Sequence, residues 1–345
     1  MALPLDAYGI ADRPHVPPPG DPSLADFKEW WHFNFIDDAS GLDGIVNLSL
    51  TGDLHRADAG QANLILLAHD RRAGWTGGLD LFDGLAARAD TETIDIALGP
   101  SSIRYEEGRF RLELSGSGGA LAASLQFQPR TEPLMVWKNT PLGSGHINWM
   151  VMPFLTASGT VTLADRIVTL ADARGYHDHN WGNWRWGENL GWDWGFCAAA
   201  AESGGEPISL VYDRTTDRAG IRTMEHSLAI WRGERLAKLF TRRMIGARRS
   251  GRFAGPVKRL PGVMALIDAS QVTSVPRELT FRARDRADWL DARYETDAAI
   301  QIAIPRETGF GMVELNETFG WLAAAGHIGG APVSFRRRAC FEFVG

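Results

Sequence analysis

The stretch Thr160-Val161-Thr162-Leu163-Ala164-Asp165-Arg166-Ile167-Val168-Thr169-Leu170 contains two alternating runs rich in β-branched residues, joined by Ala164-Asp165. That pattern predicts an antiparallel hairpin with a tight turn. The same style recurs on both sides of it. Ile45-Val46-Asn47-Leu48-Ser49-Leu50 alternates before Thr51-Gly52-Asp53, and Phe110-Arg111-Leu112-Glu113-Leu114-Ser115 alternates before a glycine-serine turn, with residues 120–127 as its return strand. Ile208 to Tyr212, Ala298 to Ile304 and Val333 to Phe335 continue it, and the 38 glycines supply the turns. Helical periodicity is scarce, its best candidate being the short run Arg235 to Ile245. An all-β chain of sandwich or barrel type follows.

At 345 residues the chain exceeds the size at which a single core usually stops growing. Two domains, or one internally duplicated unit, are therefore expected: an N-terminal extension over 1–25, a first domain over 26–185 and a second over 186–345. Arg248 to Pro261, rich in Gly, Arg and Pro, reads as a long loop within the second domain. A net charge of -6 and a pI near 5.9 give no electrostatic reason for a nucleic-acid partner. The basic stretch from Arg242 to Lys258 is the exception; it reads first as a solvated loop and second as a contact for lipid or polyanion. Cys197 and Cys340 form no CxxC motif or disulfide framework, so both are expected reduced and buried. The opening Met1-Ala2-Leu3-Pro4-Leu5-Asp6 lacks a secretory pattern, and no stretch approaches the ~18 apolar residues of a membrane span. The expected location is cytoplasmic, with peripheral membrane contact left open.

Chemistry concentrates around Gly175-Tyr176-His177-Asp178-His179-Asn180-Trp181-Gly182. In an extended chain Tyr176, Asp178 and Asn180 point one way and His177, His179 and Trp181 the other. A carboxyl among aromatic side chains is desolvated, which favours its protonated form and makes Asp178 a candidate acid. His146, in Gly145-His146-Ile147-Asn148-Trp149, is the candidate histidine partner. Trp181, Trp184, Trp186, Trp192 and Trp194 crowd one segment, either plugging a barrel end or the seam between halves, or lining a ligand and offering ring faces to a cation. His177, Asp178, His179 and His146 have metal-ligand chemistry but lack metal-ligand spacing, so no metal is expected. In Glu29-Trp30-Trp31-His32-Phe33-Asn34-Phe35, Trp31, Phe33 and Phe35 share one face, while Trp30, His32 and Asn34 form a polar and aromatic face suited to a pocket wall. No GxSxG elbow, Walker loop or dinucleotide fingerprint is present, and a site of carboxyl, phenol, imidazole and indole needs no cofactor.

Glu29 to Asn34, Gly175 to Gly182 with Trp192-Asp193-Trp194 after it, and Gly309 to Glu314 before Gly320 together resemble the acyclic carotenoid 1,2-hydratase (hydroxyneurosporene synthase) and AttH-like superfamily. The resemblance spans nearly the whole chain, and its middle motif is the most specific. It implies two tandem lipocalin-like (calycin) barrel domains packed together, with a ligand pocket near their junction. It also implies cofactor-free hydration of an isoprenoid double bond, or the cyclisation and Diels-Alder closure of fungal relatives. Carried onto this sequence, Asp178 becomes the acid and Tyr176 and His146 its polar partners. Trp149, Trp181 or Trp194 would face the cation, and Trp31, His32, Asn34, His179, Trp192 and Glu314 would contribute to the substrate wall. His32 departs from the tyrosine more usual there. The expected partner is a hydrophobic small molecule of isoprenoid type. Three functions stay open: hydratase, cyclase, or non-catalytic binder of an apolar ligand.

Overall fold

The computed structural model describes residues 12–116, 118–199, 206–262 and 274–345. The start of the extension, where the leader pattern was sought, lies outside these residues. The chain divides into two compact units, Met1–Arg185 and Trp186–Gly345. No α-helix occurs among the described residues, and no helix is long and apolar enough to cross a membrane.

The first unit contains β1 (Phe27–Asp37), β2 (Leu42–Gly52), β3 (Gly60–Asp70), β4 (Gly74–Asp83), β5 (Ala87–Ala89), β6 (Asp95–Leu98), β7 (Ser101–Glu106), β8 (Arg109–Ser115), β9 (Leu121–Pro129), β10 (Leu134–Leu142), β11 (Gly145–Leu163) and β12 (Arg166–Asn183). The second contains β13 (Gly191–Ala199), β14 (Ile208–Thr216), β15 (Thr223–Arg232), β16 (Arg235–Thr241), β17 (Ile245–Arg252), β18 (Val257–Leu260), β19 (Pro276–Asp285), β20 (Asp288–Pro305), β21 (Met312–Ile328) and β22 (Ala331–Val344).

Each unit is one large sheet curled lipocalin-like around its own core. The first sheet runs β4-β3-β2-β1-β12-β11-β9-β8-β7-β6-β5, and the second β16-β15-β14-β13-β22-β21-β20-β19-β17. Both follow one plan, in which a four-strand meander is closed by pairing its first strand with the last strand of the unit. Alternation supplies the inward residues: Trp31, Phe33 and Phe35 of β1 join Leu48, Leu64, Phe110 and Phe127 in the first core. Aromatic contacts dominate the second, where Tyr294 stacks on Phe341 at 4.2 Å and Tyr212 on Phe281 at 4.6 Å. Cys197 and Cys340 are buried, with Cys197 Sγ 3.8 Å from the Arg338 carbonyl oxygen and Cys340 Sγ 3.8 Å from Glu317 Oε2.

The hairpin read at Ala164-Asp165 is present, with Leu163 paired to Arg166. Two other expectations are corrected. Arg235 to Ile245 is not helical; it forms β16 and a short 3₁₀ turn, because Leu236, Lys238 and Phe240 alternate inward as the strand pairs with β15. Arg248 to Pro261 is not one long loop either. It belongs largely to β17 and β18, since Ile245 and Ala247 face the core and the strand pairs with β19.

The register of β11 slips between Ala157 and Gly159. There Gly159 takes φ 130°, and a Cβ added to it would sit 2.1 Å from the Ser124 carbonyl oxygen of β9. Gly159→Ala should therefore cost about 2–3 kcal/mol. Urea unfolding should show a lower midpoint with an unchanged slope; an unchanged midpoint would mean that the two strands can separate locally at no cost.

Candidate active site

β12 lies at the middle of the first sheet, flanked by β1 and β11. Antiparallel register sets Asn34 opposite Tyr176, His32 opposite Asp178 and Trp30 opposite Asn180 on the β1 side. On the β11 side Val151 faces Asp178 and Trp149 faces Asn180, and Asn47 of β2 stands opposite His32. These residues share the sheet face turned away from the unit's core, yet His32, Asn34, Trp149, Tyr176, Asp178 and Asn180 are all buried.

Asp178 is the hub. The Tyr176 hydroxyl donates to its Oδ2 at 2.8 Å and the Asn180 amide donates to its Oδ1 at 3.0 Å. The Trp149 indole N–H bonds to the same carboxyl. Burial raises the Asp178 pKa to about 6, against the opposing pull of the Tyr176 hydrogen bond, the His177 charge, the Trp149 hydrogen bond and the His179 charge. An amide N–H₂ can only donate, so Oδ1 remains an acceptor and a proton on this group sits on Oδ2. Tyr176, whose hydroxyl can turn from donor to acceptor, meets that same oxygen.

His32 is fixed as a neutral ring. Its Nε2 lies 2.9 Å from Asn34 Oδ1 and its Nδ1 lies 3.4 Å from Asn47 Nδ2, so Nε2 carries the hydrogen and Nδ1 accepts. Burial lowers its pKa to about 4. Trp137 of β10 packs on Trp149 with ring centroids 5.1 Å apart, extending the aromatic wall. Gly182 lets β12 approach β11, since a Cβ on it would fall 2.2 Å from the His146 carbonyl oxygen.

The opposite face of β12 holds a second cluster, in which residues of the N-terminal extension reach the core. The Asp12 carboxylate meets His177 Nε2 at 2.8 Å and His179 Nδ1 at 3.0 Å. His179 Nε2 in turn meets Glu29 Oε1 at 3.0 Å, and that oxygen also accepts from His15 N at 2.7 Å and His15 Nδ1 at 3.2 Å. Trp31 stacks on His179 at 4.5 Å and His15 on Trp181 at 4.0 Å. Burial alone would lower the His179 pKa, but Asp12 and Glu29 outweigh it and raise it to about 9. For Asp12 burial acts upward, while the charges and hydrogen bonds of His177 and His179 hold it below the ordinary value. His15, Glu29 and His179 place three ligand atoms within 4.8 Å of one another, the only such group among the described residues. Three hydrogen bonds converge on Glu29 Oε1, while the buried Glu29 Oε2 has no hydrogen-bond partner among the described residues.

The structure brings together Asp178, Tyr176, His32, Asn34 and Trp149. It does not bring His146 to Asp178. His146 pairs with Asn183, five residues further along the ladder and on the other face. Trp31, His179 and Trp181 also face away from Asp178, on the core side. Trp192, Trp194 and Glu314 belong to the second unit. There Trp192 Nε1 donates to Glu342, Trp194 is buried, and Glu314 accepts from Ser274 at 3.1 Å. Sequence reasoning passed over Asn47, whose signal is an amide inside an otherwise alternating strand. It also missed Asp12, 165 positions from His177, which left no local signal.

A model of the family described as "Domain of unknown function (DUF7064)" matches residues 10–204, more than half of the chain. No curated protein matches the sequence. Among solved structures, an AttH-like protein (NE1406) from Nitrosomonas europaea superposes with TM-score 0.67 at 15% identity, covering 100% of this chain and 97% of that one. Kievitone hydratase from Nectria haematococca gives 0.59 at 11% identity, covering 97% and 94%. CghA, solved with Sch210972, gives 0.57 at 12% identity, covering 97% of each chain. At these identities the likeness is one of fold.

Proposed function

This chain belongs to the DUF7064 family, a domain of unknown function, and for it we propose cofactor-independent acid catalysis: hydration of an isolated trisubstituted double bond in an apolar, isoprenoid-like molecule. The observation that carries this reading is the Asp178 carboxyl, buried beside Tyr176, Asn180 and Trp149 with its pKa raised to about 6. At pH 7 roughly a tenth of it is protonated, about a hundredfold more than for an ordinary aspartate. It is then an acid strong enough to matter and abundant enough to act.

In the forward step the alkene π pair takes the proton from Asp178 Oδ2, forming a C–H bond at the less substituted carbon and a tertiary cation at its neighbour. The new carboxylate and the Trp149 and Trp137 ring faces stabilise that cation, each ring contributing about 0.5–2 kcal/mol. Water adds to the cation, and the resulting oxonium returns its proton to Asp178, which restores the acid. Tyr176 and Asn180 hold the carboxyl in place throughout, and His32, neutral and fixed by Asn34 and Asn47, adds a polar wall without a competing charge. Kievitone hydratase shows that this fold can carry a hydratase, which supports the reading.

Small molecules copurifying with the protein should first be identified by mass spectrometry. An isoprenoid panel is then incubated in ¹⁸O-labelled water. The expected product is a tertiary alcohol carrying the heavy oxygen. An isomer of unchanged mass would replace hydration with capture of the cation by an internal double bond, and a bound apolar molecule that never converts would make the protein a binder. Tyr176→Phe should lower turnover by about tenfold, because the group that exchanges hydrogen bonds with Oδ2 is lost.

A further inference from the structure

The basic segment from Arg242 onward is not used by the chemistry above, yet it borders a cavity of about 530 Å³ in the second unit, walled by the end of β14, the start of β15, the 3₁₀ turn at 242–244 and the start of β17. A volume of this size suits a small organic ligand. Its walls differ in character. Met224, Ile245 and Ala247 form an apolar strip, and Ile245 and Ala247 join the unit's core. Arg214, Arg242 and Arg243 form a cationic one.

The guanidiniums outnumber the carboxylates that serve them. Arg214, only 8% exposed, forms an ion pair with Asp193 Oδ2 at 2.7 Å, and Arg249 grips the other oxygen of the same buried carboxylate. The buried Nε atoms of Arg214 and Arg249 find no acceptor among the described residues. Arg242 forks onto Glu225 at 2.7 and 3.0 Å, whereas Arg243 makes no ion pair or hydrogen bond among the described residues. Asp213, buried beside Arg214, is pushed toward its neutral form by burial first and by the Asp193 and Glu225 charges next, so four arginines face two charged carboxylates. His226, at the inner end with its Nε2 3.2 Å from the Tyr212 hydroxyl, adds no charge, because burial first and the Arg214 charge second lower its pKa to about 4. A buried guanidinium with an unpartnered N–H in the wall of a cavity favours an anion there, and the planar fork of arginine favours phosphate or carboxylate. The surplus of two positive charges matches a phosphate monoester better than a single carboxylate.

We propose that this cavity binds an amphiphile with a phosphate head on a hydrocarbon chain, the head between Arg214 and Arg243 and the chain along Met224, Ile245 and Ala247. The site belongs to the second unit, and its occupancy is independent of the Asp178 chemistry.

Calorimetric titration of the full chain with decyl phosphate, decanol and inorganic phosphate tests it. Decyl phosphate should bind at least about tenfold more tightly than either of the others, with affinity falling as salt is added. Arg214→Met should weaken it by about tenfold or more, and Arg243→Ser by roughly three- to tenfold. Arg243 is exposed and unpaired, so its substitution leaves the fold intact and keeps the test valid if Arg214→Met fails to fold. Equal binding of decanol, or decyl phosphate binding unaffected by Arg243→Ser, would overturn the head-group assignment. Inorganic phosphate binding as tightly as decyl phosphate would overturn the amphiphile and leave a simple anion site.

Discussion

Asp178→Asn will remove turnover and at the same time make the protein harder to unfold. The first effect follows from losing the only proton donor on Oδ2, and a drop of about 10³-fold is expected for a positioned general acid. The second follows from linkage. The folded-state pKa of Asp178 is raised from 3.8 to about 6, so the folded chain holds this proton more tightly than the unfolded one. Stability is consequently lost as pH rises from about 4 to about 6, and above that the buried carboxylate costs a constant amount of about 3 kcal/mol. Asparagine removes the cost without removing the shape, since its carbonyl still accepts from Asn180 and its amide can donate to the Tyr176 oxygen. The variant should thus melt at a higher temperature than the wild type at pH 8 and at a similar one at pH 4. Wild-type kcat/KM should fall about tenfold per pH unit once the pH exceeds about 6. Scanning calorimetry at both pH values and a pH–rate profile check the pair of effects. Retained turnover would sink Asp178 as the acid, and an unchanged melting temperature at pH 8 would sink its desolvation.

The trade between activity and stability at Asp178 was half legible in the sequence. Alternation alone set Tyr176, Asp178 and Asn180 on one face of a strand, and the hydrogen bonds between them follow from that face. Which strands lie beside them is a question of register, which local pattern does not settle. One clue was available: the two irregularities in the β11–β12 ladder offset each other, so counting back from the Leu163–Arg166 turn leads directly to Val151 opposite Asp178 and His146 opposite Asn183. His146 was excluded by arithmetic that the hairpin already offered. Arg235 to Ile245 misled for another reason. Leu236, Lys238 and Phe240 satisfy a strand period, but long flexible side chains also suit a helix, and pairing with β15 decided between them. Asp12 could not have been found, because nothing near it in sequence demands a buried carboxylate; only the fold brings the extension to His177 and His179.

That unforeseen cluster carries the largest stability effect expected here. His179→Gln should destabilise the first unit by about 3–5 kcal/mol at pH 7, because it strands the Asp12 and Glu29 carboxylates in the core without the cation between them. Its pH dependence has a definite sign. Asp12 and Glu29 raise the folded-state pKa of His179 from 6.5 to about 9 despite its burial, so its contribution is fully present below about pH 6.5 and is lost as pH rises through 9. The gap between wild type and variant should accordingly be wide at pH 6–7 and narrow above pH 9, the reverse of the Asp178→Asn pattern. Adding Glu29→Gln to the variant should recover part of the loss, since one orphaned charge is then removed. Denaturant unfolding followed by tryptophan fluorescence reads all three. A loss below about 1 kcal/mol, or a gap that does not change with pH, would mean that the cluster is not held by a buried ion pair. The outcome bears on catalysis as well: His177 and His179 anchor β12 to the core on either side of Asp178, so loosening them frees the strand that holds the acid against Tyr176 and Trp149. His179→Gln should therefore lower kcat through the loosened strand and, because the His179 charge no longer pulls on the Asp178 carboxyl, also move the pH at which activity falls upward from about 6.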